Sequence, residues 1–229
     1  MLKRFFIITA IAIFAVSAAV AQSQSNNDMT IEESYLQETI ENMIIRESAR
    51  ADSLDQKLLA LEYIGEAIDR GNTSADIHSA LSYLAQEGTV SVARENGRVI
   101  NNHPTVRRQA AKYLGQLGTE EAKTALVQIV KSEKEPMVTQ EAIKSLGDIG
   151  INENNEVVLS IAHTFRRFDA TNPDNLLALA TIDTFEKLAK ANGGLSPEAI
   201  QILIKISEGQ YIKPVQERAR QALGSLRKR

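Results

Sequence analysis

The sequence predicts an all-α fold, a right-handed solenoid of about four to five helix pairs, interrupted near residues 89–101 by a short β-hairpin or an extended loop. Three observations predict it. The first is a recurring phrase. Val106, Val138 and Val215 each open a run in which an Ala follows after four residues, a Leu after eight and a Gly after nine, giving the columns Ala110, Ala142, Ala219, then Leu114, Leu146, Leu223, then Gly115, Gly147, Gly224. A phrase that returns every few tens of residues marks stacked units, each burying its apolar face on the next. The second is the helical spacing of apolar residues between these phrases. The third is the one stretch where that spacing fails. Between Gly88 and Asn102, Val90 and Val92 alternate with polar residues, and Asn96-Gly97 supplies a pair suited to positive φ.

The chain begins Met-Leu-Lys-Arg, continues through an apolar run, and reaches Ala19-Val20-Ala21 just before the polar run QSQSNND. A short basic start, an apolar core and a small-x-small site describe a secretory signal peptide cut after Ala21. A retained membrane anchor is the alternative, because the apolar run approaches spanning length. On the first reading residues 1–21 are the signal, 22–29 a flexible Ser/Asn/Gln-rich leader, and 30–229 the solenoid domain of an exported protein, periplasmic or secreted. No later apolar run has spanning length, so no membrane span is expected after cleavage. Loss of Lys3 and Arg4 leaves 24 basic residues against 29 acidic ones, a net charge of −5. That balance argues against a phosphate-binding surface, and nucleic acid is not an expected partner. The chain has no cysteine, which excludes disulfides, thiolate metal sites and lipid attachment at a cysteine.

Taken in order, Thr30-Ile31-Glu32-Glu33 has the Thr-x-x-Glu form of a capping box. It opens a helix over about 31–50 whose apolar positions are Ile31, Tyr35, Ile40, Met43 and Ile44. The next helix, about 54–69, carries Ala60, Ile64 and Gly65 in the Ala, Leu and Gly columns, and Gly71 ends it. Thr73 is the expected cap of a helix through about Gln86 with Ile77, Ala80, Leu81 and Leu84 inward. The second copy starts at Pro104, where a missing N–H costs nothing, and its partner helix follows from Thr119. The third copy starts at Pro136, breaks at Gly150 and resumes near Glu153. The fourth starts at Pro173, with Phe185 in the Leu column and Glu186 in place of Gly. Ser196-Pro197-Glu198 opens its partner helix, with Ile200, Leu203, Ile204 and Ile206 apolar. The last copy, from Val215, has no partner helix and serves as a polar end cap. The column glycines are read as the points that release each helix into its turn.

The phrases Pro104-x-Val106-Arg107-x-x-Ala110-x-x-x-Leu114-Gly115, Pro136-x-Val138-x-x-x-Ala142-x-x-x-Leu146-Gly147 and Val215-x-x-x-Ala219-x-x-x-Leu223-Gly224 resemble HEAT repeats, of the kind found in bacterial HEAT/PBS-lyase-like repeat proteins. The resemblance implies a fold of HEAT-like helix pairs. It implies a family composed mostly of protein-binding adaptors, with a few lyases and hydroxylases. The hydroxylase branch carries paired His-Glu metal motifs, and this sequence has no His-Glu step.

Chemistry-bearing motifs are scarce. Of three histidines, His78 and His163 fall on helices and His103 precedes Pro104, and none is paired at metal-ligand spacing. There is no G-x-S-x-G, no phosphate loop and no tryptophan. No cofactor and no catalytic residue is expected. Arg107, Arg108, Lys112, Arg166 and Arg167 read as solvated or inter-repeat ion pairs, and Glu32, Glu33, Glu38, Glu41 and Glu47 as the outer face of the first helix. Adjacent repeats rotate slightly, so the second helices of the pairs are expected to line a concave surface. The expected function is a non-enzymatic adaptor, monomeric or weakly oligomeric. It would bind a protein partner through that surface and the insert, with Val92, Arg94, Asn96, Arg98, Gln128, Lys131, His163, Arg166 and Arg167 as candidate contacts. A lyase-like enzyme or subunit and a self-associating envelope component are the alternatives.

Overall fold

The protein was analysed as a computed structural model that describes residues 30–194 and 196–226. The signal and leader expected over 1–29 lie outside the described residues. Among the described residues, ten α-helices and one two-stranded hairpin make up the secondary structure, apart from a single 3-10 turn. Contacts divide the chain after Ile40.

Helix α1 (Ile31–Arg50) starts at the predicted capping box. Thr30 Oγ1 accepts from the Glu33 N–H at 3.2 Å, and Glu33 Oε2 accepts from the Thr30 N–H at 2.9 Å. The predicted apolar face of this helix is largely uncovered. Ile31, Tyr35, Ile40 and Met43 are exposed, Ile44 is half-buried, and full burial starts at Ile45. Apolar spacing shows which face can pack, and only a neighbouring element makes it pack.

From Glu41 onward the helices alternate as first and second members of pairs. Helix α2 (Leu54–Asp69) pairs with α3 (Ala75–Gln86), α4 (Pro104–Leu117) with α5 (Glu120–Ser132), α6 (Pro136–Ile149) with α7 (Glu156–Thr171) and α8 (Asn175–Asn192) with α9 (Pro197–Glu208). Helix α10 (Lys213–Leu226) stands alone at the end. First helices pack on first helices and second on second, with the first-helix row the closer packed. The predicted columns form the shared core: Ala60, Ile64, Ala110, Leu114, Ala142, Leu146, Phe185 and Ala219 are all fully buried.

The glycine column has a different cause from the expected one. The residues that release α4 and α6 into their turns are Gly118 and Gly150, at φ 67° and 76°. Gly115 and Gly147 lie inside their helices, where the next first helix passes. A Cβ at Gly115 would stand 2.6 Å from the Ser145 Cβ, and one at Gly147 would stand 2.8 Å from Thr184 Oγ1. The close approach is fixed by a hydrogen bond, since the Thr184 hydroxyl donates to the Ile143 carbonyl at 2.9 Å. Thr164 makes the corresponding bond in the second-helix row, to Val130 O at 2.9 Å.

Helix starts move by one to three residues from the predicted ones. Ser74, not Thr73, precedes α3. Asp174 caps α8 by accepting from the Leu177 N–H at 2.8 Å, which leaves Pro173 outside the helix. Helix α7 begins at Glu156 after a 3-10 turn in which Asn154 and Asn155 take positive φ. Thr119 and Ser196 cap α5 and α9 as their sequences imply. On α9, Ile202 joins Leu203 and Ile206 in the core, while Ile200 and Ile204 are exposed.

The insert contains a hairpin, smaller than the alternation suggested. Strands β1 (Arg94–Glu95) and β2 (Arg98–Val99) pair antiparallel across Asn96-Gly97, whose φ values are 49° and 80°. Val90 and Val92 fall outside the strands and face solvent, so their alternation records no buried face.

Candidate functional site

The insert is held by a buried cation. Arg107, 1% exposed, donates from Nε to Glu133 Oε2 at 2.7 Å, and from Nη1 to Glu87 O at 3.2 Å and Asn102 Oδ1 at 2.8 Å. Glu87 and Asn102 bracket the insert, so one side chain ties down both of its feet. Lys57, equally buried, donates to Glu87 Oε1 at 2.8 Å and to Ala51 O. Glu133 Oε1 in turn accepts from the Lys134 and Glu135 N–H groups. A buried charge is tolerated only when it is paired, and this ladder pairs two cations with two carboxylates along successive repeats, leaving Glu87 Oε2 as its one buried oxygen without a hydrogen bond among the described residues. Arg107 therefore fulfils the inter-repeat ion-pair role expected of it.

Between hairpin and helices lies a cavity of about 330 Å³, lined in part by Val92, Arg94, Asn102, Arg107, Glu133 and Lys134. It brings two predicted contacts, Val92 and Arg94, over the buried ladder. Asn96 and Arg98 project from the exposed hairpin tip. The remaining predicted residues lie on the second helices. Gln128 and Lys131 on α5 and His163 and Arg166 on α7 are exposed. Arg167 serves the fold instead: it donates to Lys131 O at 3.1 Å and to Glu133 O at 2.7 Å, fastening α7 to the end of α5, and stacks over Phe168.

A larger opening lies on the first-helix row. The cleft between α2 and α4, about 570 Å³, is lined by Leu58, Leu61, Glu62, Arg108, Lys112 and Tyr113 among others. Tyr113 is the residue that opens it. It occupies the position filled by Ser145 in α6 and Thr184 in α8, two residues before the Gly column, and its ring lies over Gly65, where a Cβ would meet its hydroxyl at 2.4 Å. A phenol in place of a small side chain holds the two helices apart. Later junctions in the row are laced by ion pairs: Arg108 to Glu141 at 3.4 Å, Lys187 to Asp148, and Arg218 to Asp183 and Glu186 at 2.8 and 2.6 Å. The Arg218 hydrogen bond holds the Glu186 carboxyl below its ordinary range. Across the α2–α4 junction no such pair forms among the described residues. Glu62 and Lys112 there have no charged partner among the described residues, and Leu58 is exposed. The sequence carried one signal for this cleft, the Tyr at a position that is Ser145 and Thr184 in the next two copies, and only the glycine opposite gives it meaning.

Elsewhere, burial and the Asp169 carboxylate push the Tyr211 hydroxyl well above its ordinary value, so it acts as a neutral donor that ties the approach to α10 onto α7. His78 meets Thr119 Oγ1 at 3.3 Å, and His163 is exposed. Among the described residues no group of three or more His, Cys, Asp or Glu could hold a metal ion, and no helix is long and apolar enough to cross a membrane.

Comparison with known proteins agrees with this architecture. Residues 98–167 match the family model for HEAT repeats. Among solved structures, the complex of CpcE and CpcF of phycocyanin lyase from Nostoc sp. PCC7120 is similar, with a TM-score of 0.58 and 15% identity, over 90% of this chain and 68% of that one. At that identity the likeness is one of fold. No curated protein matches the chain.

Proposed function

For a chain that carries HEAT repeats and stacks them as helix pairs, we propose the role of an exported scaffold that seats a segment of a protein partner in the α2–α4 cleft and steadies it with the hairpin insert. The observation that carries this reading is the contrast along the first-helix row. The next two junctions, α4–α6 and α6–α8, are closed by small residues, and each later junction carries an ion pair, whereas the α2–α4 junction is held open by Tyr113 and presents an apolar floor with uncommitted charges at its rim. Pockets of this size and mixed lining are where side chains of a ligand are received. The first-helix row is also the more closely packed one. A stack shortened on one side curves toward that side, so the docking surface is assigned to the first helices rather than to the second helices favoured by sequence alone.

The test is site-specific photo-crosslinking in the native host at Lys112, at Asn96 and at Gln128. The reading requires one exported protein captured at Lys112 and Asn96, lost when Leu58→Arg fills the cleft. Capture at Gln128 alone would move the site to the second helices and overturn it. Export is tested in the same material by mass spectrometry of the N-terminus, which should begin at Gln22. The likeness to a lyase complex supports a second reading, a lyase-type subunit acting on a chromophore-bearing protein. A cleft-dependent change in a chromophore's absorbance would favour it.

A further inference from the structure

The two ends of the chain carry complementary surfaces, and we infer that the chain associates head to tail, with the leading half of α1 of one copy docking on the open face of α10 of a second copy.

The first observation is the apolar surface of α1. Ile31, Tyr35, Leu36 and Ile40 are 88%, 70%, 59% and 56% exposed. At 100° per residue they spread over roughly half the circumference of the helix. A helix apolar over half its perimeter belongs in a contact, and exposed surface of this kind marks an interaction site.

The second is the vacant place beside α10. In each of the first three copies the column glycine is covered by a side chain of the following first helix: Gly65 by Tyr113, Gly115 by Ser145, Gly147 by Thr184. Gly224 has nothing within 4 Å. Its neighbour Leu223 is only partly buried, where Leu114 and Leu146 are fully buried. The last copy thus offers the same helix-receiving positions as its predecessors, unoccupied. An aromatic over a glycine is already used inside the chain, at Tyr113 on Gly65, and Tyr35 can repeat that contact on Gly224.

The third is charge. The leading half of α1 carries three acidic residues and no basic one, whereas the sequence from Lys213 to the end carries six basic residues, of which Arg218 is already paired with Asp183 and Glu186, against one acidic. Two α1 helices would repel one another, so a symmetric contact through α1 is disfavoured and a contact between unlike ends is favoured. Such an interface is heterologous: it grows or closes into a ring and does not stop at a two-fold dimer. It is also salt-sensitive, because much of the attraction lies between exposed charges. This inference does not depend on the α2–α4 cleft being a docking site.

The experiment is analytical ultracentrifugation of the chain purified from its host, its N-terminus read by mass spectrometry, over a range of concentrations at low and high salt. Wild type should associate at low salt and dissociate at high salt. Gly224→Trp, which meets open space in the free chain, should keep helix content and Tm and abolish association. Glu32→Lys and Lys213→Glu should each associate weakly alone and form mixed species when combined, because one unlike pair of ends is restored. Lys112→Glu, in the cleft, should leave association unchanged. A concentration-independent monomer at low salt overturns the inference. So does an association that survives Gly224→Trp, and so does a strictly two-fold dimer cross-linked through Tyr35 to Tyr35.

Discussion

Two junctions in the same row of helices use the same glycine column to opposite ends. Between α4 and α6 the glycine admits Ser145 to within a Cβ radius, and between α6 and α8 Gly147 admits Thr184. The helices there close up and an ion pair seals the outer surface. Between α2 and α4 the glycine admits the ring of Tyr113, and the same absent Cβ that closes the later junctions makes room here for a wedge. A repeated residue therefore does not fix a repeated function. The side chain opposite it decides whether the junction is structural or open.

The largest expected effect that tests this comparison is at the closed junctions. Leu146→Ala removes a fully buried column residue and should cost about 2 to 5 kcal/mol, measured by urea unfolding. A neutral result would mean that the repeat register is wrong. Next come Gly115→Ala and Gly147→Ala, each expected to destabilise by about 1 to 3 kcal/mol, since the added methyl also meets Cα atoms of the neighbouring helix at 3.1 Å. At the open junction Gly65→Ala should nearly balance. The clash there is with the far end of a tyrosine bordering a cavity, and the gain in helix propensity is about 1 kcal/mol. Gly224→Ala, with open space around it, should stabilise by about 0.5 to 1 kcal/mol. Equal costs at Gly65 and Gly147 would erase the distinction between the junctions.

The smallest effect concerns the ion pairs that seal the row. Because Arg218 depresses the folded-state carboxyl of Glu186, the stabilisation is complete above the carboxyl's ordinary value and is lost as pH falls through the depressed one. The stability difference between wild type and Glu186→Gln should accordingly narrow on acidification and hold steady from neutral pH upward. A difference that widened in acid would show that the pair is not what Glu186 contributes.

Much of the fold was legible because its signals are local. The capping box at Thr30 and Glu33, the caps at Thr119 and Ser196 and the Asn96-Gly97 turn are all written within four residues of where they act. The columns through Leu114 and Leu146 were legible because repetition states the same local instruction again. The exposure of the apolar positions of α1 was not legible, because its spacing is helical and amphipathic enough to pack, yet the sequence does not say whether anything lies beside it. Arg107 was read as solvated or in an inter-repeat ion pair, and the structure takes the second, but its grip on both feet of the insert joins Glu87, Asn102 and Glu133, residues separated by 20, 5 and 26 positions.

The sequence alone determined that this protein is a stack of helix pairs, where each helix lies to within about three residues, and that a hairpin or extended loop interrupts the stack near residue 96. Periodicity and capping carry those facts, and both act through neighbours along the chain. Tertiary structure alone decided that Gly115 and Gly147 are contact points rather than helix stops, that Tyr113 opens a cleft, and that Arg167 serves the fold. Each of those depends on which side chain arrives from a helix roughly thirty to fifty residues away, and distance in space is not written in the spacing of one chain.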